Sequence, residues 1–266
     1  MTRALKNKRA TQGGKTRSNA VLRTTRTFLN FCLKNELDKM TRNPALAVDP
    51  ITNISTKAAR TLKLDEMALL LLAGREYDRR AAAEEKTSTW ADSLAVLVLN
   101  GNRKNELFEA MGEEWDRSAK YWRIDSGRYK TGVNCVLPVG PTTASILDQR
   151  ARPGEYIIPS QTGVRTGQDR HICDALTQIM EEISRQNIEK WSMHSIRHGF
   201  RHNIRKTKIA DSELAEMIIH PKRKLDMDKR YDGDWRDEMR EALIAWDKRI
   251  NEEITRIAGA RIAAVA

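Results

Sequence analysis

The chain has 266 residues, of which 40% are hydrophobic and 31% are charged, and its formal net charge is +11. This apolar content excludes an intrinsically disordered chain, because disordered segments hold too few apolar residues to form a core. No run approaches the roughly 20 apolar residues of a membrane-spanning helix, and the basic N-terminus lacks the apolar stretch of a secretory signal. The three cysteines, Cys32, Cys135 and Cys173, lie far apart without metal-ligand spacing, so we expect reduced thiols in a cytoplasmic protein.

The positive charge is concentrated at the start of the chain. Residues 1–60 hold 13 Lys and Arg against 3 Asp and Glu, whereas the other 206 residues hold 34 against 33. A basic segment of this density is typical of a protein with a polyanionic partner, most often nucleic acid, although a solvated basic tail is the alternative.

The first predicted helix lies in this basic segment. Residues 16–34 carry apolar side chains with helical spacing, at Val21, Leu22, Phe28, Leu29, Cys32 and Leu33. The polar and basic side chains of the same stretch are candidates for phosphate contacts. The residues that we predict to bind DNA are Arg17, Arg23, Arg26, Thr27 and Lys34.

The elements predicted after residue 60 are mostly helices with a small sheet among them. Helices are predicted at about 64–74 and 87–99, with a short one from about 104. β-Rich runs at 115, 121–124 and 134–139 indicate a small antiparallel sheet. Helical patterns return at 141–150, 170–187, 194–206, 211–219 and 235–257. The sequence therefore predicts a mainly α fold with a small antiparallel β-sheet (α+β), divided into residues 1–50, a linker at 51–62, a large domain at 63–250 and a tail at 251–266.

Four local patterns contain residues suited to chemistry. They are Arg103 with Glu106 at a helix start, Lys130 in a predicted hairpin, His194 with Arg197 on one helix turn, and His220 followed eleven residues later by Tyr231. Each has an ordinary structural interpretation when it is taken alone: a charged helix end, a solvated lysine, a paired histidine and arginine, and a packed tyrosine.

The order of these residues resembles the tyrosine recombinase, or phage integrase, family. The stretch Leu97–Leu107 (LVLNGNRKNEL) is similar to the family's TGLRxSEL stretch, and Met193–Phe200 (MHSIRHGF) is similar to its HxLRHTF box. Residues 16–48 resemble the last helix of the family's core-binding domain. The resemblance covers about residues 16–250, and it implies a partial core-binding segment at 1–50 and a tyrosine-recombinase-like catalytic domain at 63–250.

The chain departs from the family pattern at several places. Ile219 stands where a glycine usually precedes the second histidine, and Gly199 replaces the usual Thr or Ser. The interval between His220 and Tyr231 is slightly long. The N-terminal segment is also shorter than the core-binding domain of the family, which leaves open whether site recognition and full recombination are retained.

The resemblance implies cleavage of a phosphodiester by a tyrosine hydroxyl. Arg103 and Arg197 would hold the phosphate, because each guanidinium offers a planar pair of donors that lysine cannot copy. Tyr231 would be the nucleophile, and neighbouring positive charge would favour its ionised form. The product would be a 3′-phosphotyrosine bond, which can be religated without a cofactor or a metal ion.

The remaining roles also come from the resemblance. Lys130 would protonate the departing 5′ oxygen, His194 would take part in proton transfer, and His220 would donate a hydrogen bond to the phosphate. Glu106 would hold Arg103 in place. The partners would be double-stranded DNA and further copies of the chain, from dimer to tetramer, and residues 235–266 would either pass to a neighbouring protomer or pack on their own domain.

The residues also allow functions other than an integrase. A relaxing topoisomerase or a telomere resolvase uses similar residues, but the short histidine box and the chain length favour an integrase. A non-catalytic DNA-binding prophage remnant is the main alternative from another functional class, and it would bind DNA without becoming covalently attached. A purely structural or protein-binding domain explains neither the basic N-terminus nor the ordered cluster.

Overall fold

The computed structural model describes residues 14–35, 40–51, 60–129, 132, 134–159, 169–220 and 235–263. The chain divides into two compact units, residues 1–58 and 59–266. None of the described helices has the length and apolar content to cross a lipid bilayer.

The first unit is built on one long helix. Helix α1 spans Gly14–Lys34, and a 3₁₀ turn at Pro44–Ala47 follows it. Asn43 ties the two together, since its Oδ1 accepts from the Ala45 backbone N at 2.9 Å and its Nδ2 donates to the Arg26 carbonyl at 3.0 Å. Leu22 and Cys32 are buried, whereas Val21, Phe28 and others of the predicted apolar set are not. The role of this unit as a core-binding segment stays a prediction.

The second unit is mainly helical. Its helices are α2 (Leu64–Ala83), α3 (Trp90–Asn100), α4 (Lys104–Phe108), α5 (Pro141–Arg150), α6 (Asp169–Ser184), α7 (Met193–Lys206), α8 (Ser212–Ile219) and α9 (Arg236–Ala263). Helix α2 packs against α3, α6 and α9, and α3 also contacts α5 and α7. The ends of most helices lie close to the predicted ones, because the sequence marks these helices by apolar residues spaced 3–4 positions apart.

A small sheet lies between α4 and α5 in the chain. Strands β1 (Trp115–Asp116), β2 (Tyr121–Ile124) and β3 (Cys135–Pro138) pair antiparallel in the order β1-β2-β3. Trp122 is fully buried and lies opposite Trp115 on one side and Leu137 on the other. The predicted fold class, mainly α with a small antiparallel sheet, is confirmed.

One predicted helix end is wrong, and a close helix contact explains why. Helix α2 continues nine residues beyond Gly74, where the sequence suggested a stop. A Cβ atom at Gly74 would lie 2.8 Å from Leu94 Cδ1 and 3.3 Å from Ala91 Cα, so the glycine lets α3 approach the backbone of α2. The absence of a side chain at Gly74 allows close helix packing, and the spacing of residues in the sequence does not show this.

Helix α9 closes the core of the second unit. Trp246 is fully buried, its ring meets Phe200 edge to face at 5.6 Å, and its Nε1 donates to the Val98 carbonyl at 3.0 Å. Leu243 and Ile250 are buried beside it. The described part of this helix therefore packs on its own unit.

The same packing gives Gly199 a structural reason. A Cβ atom there would lie 3.0 Å from both the Leu62 carbonyl oxygen and Met67 Sδ, closer than ordinary van der Waals contact. The glycine of the histidine box thus lets α7 lie against the start of the second unit. A threonine or serine at this position would require the Leu62 carbonyl or the Met67 side chain to move.

Replacement of Gly199 by alanine is expected to lower the free energy of unfolding by about 1–3 kcal/mol, because the added methyl group overpacks the core. Gly259 is a matched control, since it lies in a helix with nothing within 4 Å of a built Cβ atom. Gly259→Ala should instead raise stability by up to about 1 kcal/mol through helix propensity. Urea unfolding of the two variants checks this, and a change of the same sign in both would contradict the packing argument.

Candidate active site

Gly101 sets the position of Arg103. It ends α3 with a left-handed backbone, at φ 65°, and its N–H donates to the Leu97 carbonyl. Glycine is favoured at such a helix end because it has no Cβ to clash. Asn102 and Arg103 follow immediately, so the turn carries Arg103 to the N-terminus of α4.

Glu106 fixes both the backbone and the side chain of Arg103. Its Oε2 accepts from the Arg103 backbone N at 2.7 Å, and its Oε1 accepts from Arg103 Nη1 at 2.5 Å. Burial lowers the pKa of Arg103, but the hydrogen bond and charge of Glu106 outweigh it and raise that pKa overall. Glu106 is buried, so the contact is shielded from solvent.

Arg197 lies on α7 and is only 7% exposed. Its Nη1 donates to the Gly101 carbonyl at 2.7 Å, and its Nη2 donates to the Ile219 carbonyl at 2.5 Å. Burial, and then the charge of Arg103, lower the pKa of Arg197 to about 10. The group therefore stays charged at neutral pH, held by two backbone oxygens.

The contact with Ile219 accounts for one departure from the family pattern. Arg197 uses the carbonyl oxygen of residue 219, which any residue provides. The isoleucine side chain itself is buried in the core. An isoleucine at position 219 is therefore compatible with the contact that holds Arg197.

His220 lies between the two arginines. Its Nδ1 is 2.9 Å from Arg103 Nη2, and its Nε2 is 3.5 Å from Arg197 Nη2. A guanidinium only donates, so Nδ1 accepts from Arg103 and a neutral ring carries its proton on Nε2. In that tautomer Nε2–H and Arg197 Nη2 are both donors, so their 3.5 Å contact is not a hydrogen bond, and an anion beside them could accept from either group.

Arg103, Glu106 and Arg197 border an open cleft of about 700 Å³. Basic side chains that line it include Arg103, Lys104, Arg128, Lys190, His194 and Arg197. Arg103 is half-buried and Arg197 is buried, and the charge of Arg103 lowers the pKa of Arg197, so an anion bound beside the two would relieve their repulsion. A phosphate group matches this cleft in charge and in its demand for paired donors.

His194 lies in the first turn of α7 and is exposed in the same cleft. Its ring meets His198 edge to face, with centroids 4.5 Å apart. Burial, and then His194 and Arg201, lower the pKa of His198. These surroundings favour the neutral form of the His198 ring.

Two predicted catalytic residues, Lys130 and Tyr231, lie outside the described residues. The structure therefore brings together Arg103, Arg197 and His220, with Glu106 behind Arg103 and His194 in the same cleft. Their catalytic roles stay predictions.

The predicted DNA-binding residues lie on α1, and they differ in their surroundings. Arg17, Arg23 and Lys34 are exposed. Thr27 donates from its hydroxyl to the Arg23 carbonyl at 3.1 Å. Arg26 instead donates to the Ala45 carbonyl at 3.1 Å and to the Val48 carbonyl at 2.7 Å, so it braces the first unit. The DNA contacts of all five stay predictions.

The sequence analysis missed Arg128 and Tyr129. Tyr129 is buried under Arg103, whose guanidinium carbon lies 5.8 Å from the ring centroid. Burial raises the pKa of Tyr129 to about 12, with Arg103 opposing the shift. The only signal in the sequence was their position directly before Lys130.

Among the residues that the structure describes, no group of three or more His, Cys, Asp and Glu side chains is arranged to hold a metal ion. The three cysteines are buried free thiols.

The sequence matches no protein-family model and no curated protein. Its structure does match solved structures. Lambda integrase (residues 75–356), as a dimer bound to a COC′ core site, aligns with a TM-score of 0.55 and 14% identity over 83% of this chain and 78% of that one. A lambda integrase tetramer bound to a Holliday junction gives 0.56 and 16%, over 88% and 66%. The Tn1549 transposon integrase (residues 82–397) with circular intermediate DNA gives 0.56 and 12%, over 85% and 77%.

The chain has the tyrosine recombinase fold. This confirms the resemblance that the ordered motifs indicated. Within the tyrosine recombinase fold, the turn after α3, the buried face of α7 and the end of α8 supply Arg103, Arg197 and His220 from three distant parts of the sequence.

Proposed function

We propose that this protein is a site-specific DNA recombinase of the integrase type, which cleaves and rejoins DNA through a 3′-phosphotyrosine intermediate. The observation that carries the proposal is the convergence of two guanidinium groups on one imidazole, at 2.9 and 3.5 Å. Two guanidinium groups and an imidazole held this close together supply a cluster of hydrogen-bond donors, which suits a phosphate whose negative charge increases in the transition state.

Arg103 and Arg197 hold the two non-bridging oxygens of the scissile phosphate. Their carboxylate and carbonyl contacts restrict both side chains before DNA arrives, so little reorganisation is needed during the reaction. The Nε2–H of His220 supplies a further donor to the same phosphate.

Tyr231 attacks the phosphorus with its hydroxyl oxygen. A tyrosine has a pKa of about 10 in water, so attack at neutral pH needs a nearby base or positive charge. His194 accepts the hydroxyl proton, the bond from phosphorus to the 5′ oxygen breaks, and Lys130 gives that oxygen a proton. Religation is the reverse of these steps, so the energy of the broken bond is retained.

The partner is double-stranded DNA, bound by a dimer or tetramer of the chain. The solved structures of the same fold are a dimer on a core site and a tetramer on a Holliday junction, which support this proposal. The exposed basic side chains on α1 add a surface for phosphates in the first unit.

A covalent-adduct experiment tests the proposal. Labelled duplex fragments, some nicked so that the intermediate is trapped, are incubated with the wild type and with Tyr231→Phe and then separated under denaturing conditions. The wild type should give a retarded, protease-sensitive band that the variant lacks. If both proteins bind DNA in a salt-dependent way and neither gives a band, the proposal fails, and the protein is better described as a non-catalytic DNA-binding protein.

The basic residues of α1 give a second expectation. Replacing Arg17, Arg23 and Lys34 by glutamine should reduce the slope of log affinity against log salt by about 1 per residue, because each lost phosphate contact releases one fewer counterion. Arg79→Gln is the control, since Arg79 is exposed and paired with Glu76 in the second unit. Equilibrium titrations of a generic duplex at several salt concentrations measure the slope, and an unchanged slope in the triple variant would remove α1 from the DNA-binding surface.

A further inference from the structure

We propose that Arg128 is a positioning residue, which fastens the β2–β3 connection to α4 and thereby sets the place of Lys130. The inference rests on the proposed function, in which Lys130 protonates the departing 5′ oxygen. It assigns a role to a side chain that lines the cleft without acting on the phosphate.

Arg128 binds the short helix that Arg103 begins. Its Nη1 donates to the Glu106 carbonyl at 2.9 Å and to the Asn105 carbonyl at 3.2 Å. Both carbonyls belong to α4, and helix carbonyls without a full set of intrahelical partners are favoured acceptors for a positive charge. Arg103 and Arg128 are thus both held by one short helix.

The other side of the Arg128 guanidinium is held by Glu114. Nε donates to Glu114 Oε1 at 2.7 Å, and Nη2 is paired with Oε2. Trp122, on β2, donates from its Nε1 to the same Oε2 at 2.9 Å and so holds the Glu114 carboxylate in place. The side chains of Arg128 and Glu114 are 17% and 13% exposed. A two-point pair of this kind has a defined geometry.

These contacts argue against Arg128 as a phosphate ligand. It donates four hydrogen bonds to protein acceptors, so a guanidinium with five N–H groups has little left for an oxygen of DNA. Arg103, by comparison, has one carboxylate partner and faces His220. We therefore expect Arg128 to hold other parts of the protein in place and not to contact the phosphate.

One residue separates Arg128 from Lys130 in the chain. That residue, Tyr129, is buried under Arg103 and donates its backbone N–H to the Asp125 carbonyl at 2.8 Å. The two residues directly before Lys130 in the sequence are thus both held by contacts of their own. A displacement of about 1 Å in a catalytic group can lower a rate about 10²-fold.

The test uses a leaving group that needs no proton. The duplex that gives the covalent adduct is prepared with oxygen and, separately, with sulfur at the 5′ bridging position, because a thiolate departs without a general acid. Arg128→Ala should cleave the oxygen duplex up to about 10²-fold more slowly and approach the wild-type rate on the sulfur duplex. Lys130→Ala should show the same recovery, whereas Arg103→Ala should stay slow on both duplexes.

Arg123→Ala is the matched control. Arg123 is an exposed arginine on the neighbouring strand, paired with Asp116 at 2.8 Å, and the variant should cleave both duplexes at wild-type rates. An Arg128→Ala protein that is equally slow on both duplexes, or that loses nothing, would overturn the proposal.

A second variant and a second readout keep the inference independent of folding and of activity. Glu114→Gln removes the charge partner but retains an acceptor for Trp122, and it should show a milder version of the same recovery. In both variants the amides of residues 125–134 should exchange faster than in the wild type, with those of α2 unchanged. Unchanged exchange at 125–134 would refute the fastening role, whereas absence of an adduct from the wild type itself would refute the proposed function alone.

Discussion

Arg197→Lys is expected to slow DNA cleavage by about 10²–10³-fold, the usual effect of losing one preorganised donor. The guanidinium of Arg197 spans the Gly101 and Ile219 carbonyls, and it lines the cleft in which we propose that the phosphate binds. A lysine ammonium is a single point of charge, so it cannot bond both carbonyls and a phosphate oxygen in the same geometry. Single-turnover cleavage of a nicked duplex measures the effect.

The control for this variant lies on the same helix. Arg205 is exposed in the last turn of α7, so Arg205→Lys should leave the cleavage rate unchanged. Arg197→Lys should also leave one buried carbonyl without a donor, which costs about 1–3 kcal/mol of stability. If Arg197→Lys cleaves DNA as fast as Arg205→Lys, Arg197 does not hold the phosphate.

Gly101→Ala is expected to have the largest effect on stability. Its left-handed backbone strains any residue with a Cβ, and that Cβ would lie 2.5 Å from Phe200 Cδ1. The strain and the clash together should lower the free energy of unfolding by about 2–5 kcal/mol. The carbonyl of Gly101 also holds Arg197, so cleavage should fall in the same variant even where it is folded.

Gly154→Ala separates the two contributions. Gly154 has a similar backbone, with φ 77°, but nothing lies within 4 Å of a built Cβ atom. Its replacement should cost about 1–2 kcal/mol from the backbone alone. Chemical unfolding of both variants gives the difference, and equal losses would mean that the Phe200 contact does not restrict residue 101.

The sequence predicted most elements of the fold because their signals are local. Alternation marks Tyr121–Ile124, and apolar spacing marks Met193–Lys206. The error at Gly74 has a long-range cause, since its neighbour Leu94 lies twenty residues later. A glycine that stops a helix and a glycine that admits another helix look the same in a single sequence.

The candidate site was predictable in part for the same reason. The order of Arg103, Arg197 and His220 indicated that these residues would meet, and the structure brings them together. The contacts that hold them come from residues with no chemical signature, such as the carbonyls of Gly101 and Ile219. The role of Arg128 could not be predicted from the sequence, because its partners belong to separate elements, α4 and the turn that precedes β1.

The position of α9 in the core has a consequence for how the protein is made. Trp246 fills the space beside Phe200, and Asp247 accepts from the backbone N of Thr142 at 2.8 Å and from its hydroxyl at 2.9 Å. These contacts join α9 to Phe200 and to Thr142, which lies 105 residues before Asp247. A nascent chain that already carries Arg103, Arg197 and His220 therefore has these residues of the candidate site but cannot complete the core around them until α9 leaves the ribosome.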